Sequence, residues 1–350
     1  MSLQAPLRLL AAARPSVPAA LLLAIATSTA VFAATPFLLP SVADEFDVAI
    51  GTAGLMSTTQ LAGFVVASWV GGRFLRPVRR VFVVGTLLGV VANLASAAAP
   101  SFELLTASRF VSGLSLGLAA WIAWQAAFGN DEKTGDVAVV GPLVGVLVSP
   151  LIAVVLQTAG LRWLFVLLAI VTALPLLFTR QVPAVDHLRP HRTRHAPTRA
   201  ARAILVALGA ITLGGSSVFV YAAAIGEELV GLSPYTVSLL FSGNALAAIP
   251  SARWTGRRGP AGLWFLATAV CAITIAMARN GAVFGVALVG WGFVFFMGVP
   301  AAFSLLAARS NFPEERAGDA QAVMALGRVF GPLLGGALYA SGSTGLLGLV

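Results

Sequence analysis

The sequence is poor in charged residues and nearly devoid of cysteine. Only 10% of its 350 residues are charged, and Cys271 is the single cysteine. One cysteine excludes a disulfide framework and a thiolate metal cluster, and so little charge excludes an ordinary soluble domain, where roughly a quarter of residues are charged. The apolar segments also lack a histidine cluster, paired carboxylates and a nucleophile beside a base, so we expect no enzyme, no metal and no cofactor.

Apolar residues are abundant and occur in long runs. They make up 58% of the chain, and the mean hydropathy is +0.92. Most runs have about 20 residues, which is the length that crosses roughly 30 Å of hydrocarbon. We predict an all-α membrane protein with full spans near residues 17–39, 53–72, 81–99, 103–125, 137–157, 161–178, 203–225, 234–251, 261–279, 282–308 and 319–340, eleven in all, followed by a truncated or missing twelfth span near 345–350.

Basic residues are distributed unequally between the gaps. With a cytoplasmic N-terminus, 18 of the 22 Lys and Arg residues lie on the inner side, Arg162 and Arg279 lie outside, and two lie within spans. The positive-inside rule therefore predicts a multi-pass protein of the inner (plasma) membrane with its N-terminus in the cytoplasm. The net charge of +9 reports this orientation, so we expect no nucleic-acid partner. The first run is long enough to stay in the membrane, so we expect no cleaved signal peptide.

Two short patterns occur twice along the chain. The pattern at 132–136 recurs in similar form at 315–319, and that at 141–145 recurs at 331–335. Such repeats are typical of duplicated membrane halves, and six spans return the chain to its starting side. We therefore predict two six-helix bundles related by a pseudo-two-fold axis along the membrane normal, namely 1–178 and 203–350, joined by an Arg-, His- and Pro-rich cytoplasmic linker at 179–202.

Two short motifs lie in the gap after span two and in span four. The gap reads Gly-x-x-x-Leu-Arg-x-Val-Arg-Arg from Gly71 to Arg80, and span four carries Arg109-x-x-x-Gly113. Both resemble motifs of the major facilitator superfamily, whose first signature, Gly-x-x-x-Asp-Arg-x-Gly-Arg-Arg, has Asp and Gly where this sequence has Leu75 and Val78. The resemblance implies a cytoplasmic gate at the first motif, a link to proton coupling at the second, and alternating access by two halves. The gate positions that match are Gly71, Arg76, Arg79 and Arg80.

Span eleven contains the pattern Gly-x-x-x-Gly-Pro-x-x-Gly-Gly, and span five retains part of it. In exporters that the sequence resembles, this pattern belongs to span five. Small residues at this spacing allow close helix packing, and proline bends a span. Close packing and an antiporter hinge therefore both remain open for Gly141, Pro142, Gly145, Gly327, Gly331, Pro332, Gly335 and Gly336.

Arg109 and Arg328 are the leading candidates for a substrate pathway, because an arginine in mid-span costs about 2.5–3.5 kcal/mol on insertion scales. Arg328 falls near the midplane, where substrate binding and a packed ion pair are equal alternatives. Arg109 lies closer to the outer face, so that snorkelling is its alternative. The family resemblance places spans one, four, seven and ten around a central cavity, and the further candidates there and in spans two and eight are Ser28, Gln60, Ser112, Ser217, Tyr221, Asn244 and Trp291.

The middle third of every predicted span lacks Asp and Glu, although a proton antiporter ordinarily uses a buried carboxylate. Coupling through Glu103, coupling through a carboxylate on the substrate, and facilitated diffusion therefore all remain open. We predict a secondary transporter that exports a small organic compound by alternating access, with protons as the driving ion if the resemblance extends that far. The expected partners are the lipid bilayer, a small-molecule substrate and protons, and we expect a monomer. The alternatives are an uptake carrier for an anionic metabolite, favoured by the two arginines, and a sensor that transports nothing, favoured by Leu75.

Overall fold

The structure is a computed structural model that describes residues 17–75, 77–127, 131–182, 195–252, 254 and 258–349. Helices dominate these residues, and no strand occurs among them. The helices are α1 (Ala19–Phe46), α2 (Leu55–Phe74), α3 (Arg79–Ala97), α4 (Phe102–Ala127), α5 (Asp131–Thr158), α6 (Leu161–Ala173), α7 (Arg199–Phe219), α8 (Pro234–Ala252), α9 (Ala261–Met277), α10 (Gly281–Ala308), α11 (Pro313–Ala340) and α12 (Thr344–Leu349).

Short helical segments extend or connect these helices. A single turn, Ile50–Ala53, precedes α2, and a 3₁₀ segment, Leu174–Gln181, continues α6. After α7 the chain forms the turn Ala222–Ala224 and then a π-helical turn, Ile225–Leu229. Helix α1 is capped by Asp47, whose left-handed backbone (φ 51°) lets the N–H of the next residue, Val48, donate to the carbonyl of Ala43 over 3.1 Å.

Nine helices in the described part of the chain are long and apolar enough to cross a membrane. The prediction of a multi-pass helical membrane protein is thereby confirmed. Helix α9 is apolar but has only 17 residues, and α8 is not among the nine. The predicted count of eleven spans is therefore unconfirmed at these two helices. In α8, polar residues such as Ser238 and Asn244 lower the hydropathy, and Ser238 is fully buried.

Helix contacts in the first six helices recur in the last six. Helix α2 packs on α4, α1 on α5, and α3 on both α4 and α6. In the same way α8 packs on α10, α7 on α11, and α9 on both α10 and α12. The two sets meet where α5 contacts α8 and where α2 contacts α11. At the first meeting point the hydroxyl of Ser242 donates to the carbonyl of Val146 over 2.8 Å.

The start of α7 differs slightly from the predicted start of span seven. The hydroxyl of Thr198 accepts a hydrogen bond from the N–H of Ala201 over 3.1 Å. This N-terminal cap satisfies a free backbone donor, so the helix begins at Arg199 within the predicted linker of 179–202. At the other end of that linker, residues up to Gln181 continue the 3₁₀ segment. Residues 183–194 of the predicted linker lie outside the described residues.

Candidate functional site

A cavity of about 480 Å³ lies between the first six helices and the last six. This volume is typical of a site for a small organic molecule. Helices α1, α2, α7, α8, α10 and α11 contribute to its wall, which is mostly apolar. Its aromatic residues are Phe32, Phe64, Phe219, Trp291, Phe295 and Phe296, and its polar residues are Thr29, Thr212, Ser216, Asn244 and Arg328.

Arg328 is the only charged side chain among the described residues of this wall. It projects from α11 and is exposed to the cavity. No described residue accepts a hydrogen bond from its guanidinium or forms an ion pair with it. The acid nine residues earlier on the same helix, Asp319, is already paired with Arg316 over 2.7 Å. The cavity therefore contains a cation whose hydrogen-bond donors are free for a ligand.

Asn244 and Trp291 also lie in the cavity wall, as predicted from their spans. The side-chain amide of Asn244 donates from Nδ2 to the carbonyl of Leu288 over 2.7 Å, which leaves its Oδ1 able to accept a hydrogen bond. Trp291 is 5% exposed and packs against Phe219 with ring centroids 5.6 Å apart. Together with Arg328, these two residues are the predicted pathway residues that line the cavity.

Arg109 is buried inside the first six helices and does not line the cavity. Its Nε and Nη2 donate to Oε1 of Gln60 over 3.0 and 2.8 Å, and Nη1 donates to Oδ1 of Asn93 over 2.8 Å. Nη2 also donates to the hydroxyl of Ser112 over 3.1 Å. The guanidinium lies 5.2 Å from the ring centroid of Phe165. All these oxygens belong to neutral groups, so the charge is held by dipoles and an aromatic face.

The packing of α2 against α4 explains why Gln60, Arg109 and Ser112 lie together away from the cavity. A Cβ on Gly113 would be 1.9 Å from the carbonyl oxygen of Gln60, so the two backbones touch. Arg109 consequently reaches α3, where Asn93 is fixed by a 3.3 Å hydrogen bond to Thr172. Asn93 is not among the residues predicted from the sequence, although an amide in a predicted span is a signal of a polar contact.

Two predicted pathway serines form hydrogen bonds within their own helices. The hydroxyl of Ser28 donates to the carbonyl of Ala24, and that of Ser217 donates to the carbonyl of Gly214, each over 2.7 Å. Both side chains are buried and lie outside the cavity wall. Their neighbours Thr29 and Ser216 line the wall instead. The sequence did not fix the rotation of α1 and α7, so it could not show which residue of each adjacent pair faces the cavity.

Tyr221 lies at the end of the structure where α1 leads into α2. Its hydroxyl lies 3.0 Å from the carbonyl oxygen of Pro332 on α11 and 3.4 Å from that of Gly51. A Cβ on Gly54 would lie 1.8 Å from the Tyr221 oxygen, and a Cβ on Gly336 would lie 2.6 Å from the Gly51 oxygen. Only glycine fits at these positions. We call these five residues the Tyr221 contact, and it joins the first six helices to the last six.

An acidic pair lies beside the Tyr221 contact, on the π-helical turn. Oε2 of Glu228 accepts a 2.6 Å hydrogen bond from the hydroxyl of Tyr339, whose ring stacks on Tyr221 at 5.4 Å. Partial burial, and secondly the charge of Glu228, raise the pKa of Glu227 to about 7. Glu227 can therefore change its charge near neutral pH. Glu227, Glu228 and Tyr339 are not among the site residues predicted from the sequence.

Comparison with known proteins identifies the family. No curated protein matches the sequence. The family model described as Major Facilitator Superfamily matches residues 20–336. The chain belongs to the Major Facilitator Superfamily. The predicted resemblance is thereby confirmed over most of the sequence.

Solved structures of superfamily transporters share the fold. The human organic anion transporter MFSD10 (TETRAN) has a TM-score of 0.63 and 17% identity over 94% of this chain and 93% of that chain. A D-xylose-proton symporter has a TM-score of 0.71 and 16% identity over 94% of each chain. The nucleoside transporter NupG has a TM-score of 0.71 and 10% identity over 94% of each chain. At these identities the likeness establishes the transporter fold and leaves the substrate undetermined.

The structure describes three of the four predicted gate residues, namely Gly71, Arg79 and Arg80. A Cβ on Gly71 would lie 2.8 Å from the indole of Trp121, so this glycine lets α2 approach α4. Nη2 of Arg79 donates to the hydroxyl of Thr179 over 3.2 Å, and Arg80 is exposed. Arg76 lies outside the described residues. The described part of this motif therefore contacts the end of the 3₁₀ segment.

The small residues of α11 pack closely against α7. A Cβ would lie 2.4 Å from the Thr212 hydroxyl at Gly327, 2.5 Å from the Leu213 carbonyl at Gly331, and 2.3 Å from the Ser217 carbonyl at Gly335. In α5, Pro142 lies within the helix and Gly141 is close only to Thr29, at 3.8 Å. A Cβ on Gly145 would lie 3.0 Å from Ala245 of α8. Close packing accounts for these α11 glycines, and Gly145 lies between the two sets of helices.

Proposed function

We propose that this superfamily member is a secondary transporter that moves a small organic compound out of the cell by alternating access. The observation that carries the proposal is the position of the cavity, which has walls from both sets of six helices. A tilt of one set against the other would expose such a cavity first to one side and then to the other. The Tyr221 contact, which joins the two sets at the end where α1 leads into α2, is consistent with a state closed at that end.

The two sets of helices form, in this proposal, two six-helix bundles at 1–178 and 203–350 joined by a cytoplasmic linker at 179–202. The recurrence of helix contacts six helices apart supports a pseudo-two-fold axis, and α12 then has the same position in the second bundle as α6 in the first. We further propose eleven full spans and a monomer in the inner membrane with a cytoplasmic N-terminus. The Tyr221 contact would then lie on the outer side.

The apolar wall supports export. A lipophilic compound enters a cell through the bilayer without a carrier, so a carrier with an aromatic cavity serves mainly to remove it. Uptake of an anionic metabolite is the second candidate, and the free guanidinium of Arg328 favours it. Proton coupling is part of the proposal too. The described wall contains no carboxylate, and beside the Tyr221 contact partial burial, and secondly the charge of Glu228, raise the pKa of Glu227 to about 7.

Flux in proteoliposomes tests this function. The purified protein is reconstituted, and the flux of a panel of labelled organic compounds is measured with and without a pH gradient. Ala325→Trp, which fills the cavity, should abolish the flux of any transported compound. Leu326→Trp is the matched control, because Leu326 is the next residue of α11, is 50% exposed and lies outside the cavity wall. Binding without flux, or flux unaffected by Ala325→Trp, would refute the proposal. Net accumulation of the compound inside inverted vesicles, whose cytoplasmic face is on the outside, indicates export, and net release from them indicates uptake.

A further inference from the structure

Arg328 has surroundings that are unfavourable for a charge without a partner. Six aromatic residues share the cavity wall with it, and the described wall contains no acid. Removing a guanidinium from water without giving it a partner costs free energy, so an arginine at such a place indicates a function. Asp319 cannot compensate, because Arg316 already binds it. The guanidinium of Arg328 has five N–H donors, none bonded to a described residue, so an anion in the cavity would find both charge and hydrogen bonds there.

We propose that the cavity binds an organic anion, with Arg328 holding its carboxylate and the aromatic wall holding a flat apolar body. This inference rests on the proposed function and names the substrate class of the same cavity. A carboxylate matches the planar guanidinium, which can donate to both of its oxygens. A cation of the same shape would face uncompensated repulsion in an apolar site.

The aromatic wall fits the apolar part of such a molecule. Phe32 and Phe64 meet edge to face at 5.5 Å on one side, and Phe219 and Trp291 lie 5.6 Å apart on the other. Rings from both sets of helices can therefore contact a flat body placed between them. Oδ1 of Asn244 accepts no hydrogen bond from any described residue, so it is available to a hydroxyl or N–H group of the substrate.

The chemistry of such a substrate agrees with export. A lipophilic weak acid crosses a bilayer in its neutral form and ionises in the cytoplasm, where the anion is trapped. A membrane potential that is negative inside drives one negative charge outwards. An exporter of the anion therefore needs no carboxylate in its wall, in agreement with the described residues.

Binding of three matched probes tests the inference. Naphthalene-1-acetate, its neutral amide and the corresponding ethylamine have the same ring and differ in charge. Dissociation constants are measured on the purified full chain in nanodiscs at pH 7. We expect the carboxylate to bind at least tenfold more tightly than the amide, and the amine to bind most weakly. Equal affinities for carboxylate and amide, or no carboxylate binding at millimolar concentration, would overturn the inference.

Charge variants assign the preference to Arg328. Arg328→Gln should bind the carboxylate and the amide with equal affinity. Arg328→Lys should keep part of the preference for the carboxylate, and Arg328→Glu should bind the amine most tightly. Retained amide binding shows that each variant is folded. Arg309→Gln is the control, because Arg309 is exposed at the end of α10. A full carboxylate preference in Arg328→Gln would remove this residue from the site. If the amide and the carboxylate are transported equally well, this inference is refuted and the proposed function stands. If the carboxylate binds selectively but no probe is transported, the proposed function is refuted and this inference stands.

Discussion

The two arginines in mid-span differ in what surrounds them, and this difference separates structure from function. Arg109 is 0% exposed and donates to Gln60, Asn93 and Ser112. Arg328 faces the cavity and donates to no described residue. A buried charge with a complete set of partners stabilises one arrangement of helices, whereas a charge without partners is available to a ligand.

Replacing Arg109 should therefore reduce stability. In Arg109→Leu the acceptors of Gln60 and Asn93 lose their donors in a buried place, and each unsatisfied group costs about 1–3 kcal/mol. We expect a clearly lower melting temperature in detergent and little specific effect on substrate affinity in the folded fraction. Arg328→Leu should melt at the wild-type temperature or above it, because it removes a charge that has no partner. Equal melting temperatures for the two variants would contradict this distinction.

The sequence predicted that both arginines lie within spans, but it could not show which of them faces the cavity. The cost of an arginine in lipid depends on its depth, which spacing along the helix gives approximately. Which side of a helix faces a cavity depends on its rotation, and apolar residues on all sides leave that rotation undetermined. This is why Ser28 and Ser217 were predicted where Thr29 and Ser216 line the wall. Asn244 and Trp291, which were predicted for the substrate pathway, lie in the wall, and their contact with a substrate stays a prediction.

At the scale of helices, glycines decide how closely α2, α7 and α11 approach one another. The spacing of the α11 glycines was visible in the sequence, and their packing against α7 agrees with one of its two interpretations. Tyr221 was predicted in the pathway, and it lies instead where α1 leads into α2. Its contact with Gly51 depends on two residues that are 170 positions apart. Sequence spacing gives no information about such a contact.

A side chain at Gly336 should open the Tyr221 contact. Its Cβ would lie 2.6 Å from the carbonyl oxygen of Gly51, and this backbone atom cannot move aside as a side chain can. Overpacking of this kind costs about 1–3 kcal/mol. In Gly336→Ala we expect a membrane-impermeant maleimide, added on the outer side, to label a cysteine at Thr29 about tenfold faster, in a background with Cys271→Ala. Gly262→Ala, where a Cβ meets nothing within 4 Å, should leave labelling unchanged.

The Tyr221 contact should also respond to pH through Glu227. Its pKa is raised to about 7 in this closed arrangement, and exposure to water would return it towards about 4.3. The closed end therefore binds a proton more tightly than the open end, and it is stabilised as pH falls through about 7. The charged or titratable groups that face Glu227 among the described residues are Glu228 and Tyr339.

We expect labelling at the Thr29 cysteine to increase between pH 6 and pH 8 by more than the change in thiol reactivity. Glu227→Gln reports the change in thiol reactivity alone, because glutamine does not ionise and the end at the Tyr221 contact should stay closed at both pH 6 and pH 8. The ratio of the two labelling rates is the readout. A ratio that stays constant across this range would show that Glu227 does not control the contact.

At the scale of the whole molecule, the sequence predicted a helical membrane protein with repeated parts, because hydropathy and repeats are local signals. It could not predict the cavity, whose wall comes from six helices distributed along the chain. Helix α8 shows the limit of hydropathy. In α8 the hydroxyl of Ser242 donates a hydrogen bond to α5, and the side-chain amide of Asn244 donates one to α10. These polar residues therefore hold α8 against its neighbours. A helix whose polar side chains are satisfied by neighbouring helices does not need a uniformly apolar sequence, and the outer side of α8 carries the exposed Leu239 and Leu246.

Alternating access requires the two sets of helices to move against each other where α5 meets α8. A Cβ on Gly145 would lie 3.0 Å from the Cβ of Ala245, close enough for a disulfide after a small adjustment. In a background with Cys271→Ala, oxidation of the pair Gly145→Cys and Ala245→Cys should stop flux, and a reducing agent should restore it.

The pair Gly209→Cys and Val323→Cys is the matched control, with a Cβ separation of 3.7 Å between α7 and α11 inside one set of helices. Its oxidation should leave flux close to normal, since helices of one set move together. If the cross-link between α5 and α8 formed and transport continued at the reduced rate, the two sets would not move apart at this contact. Transport would then require movement within a bundle, and the cross-link between α7 and α11 would be the one that stops it.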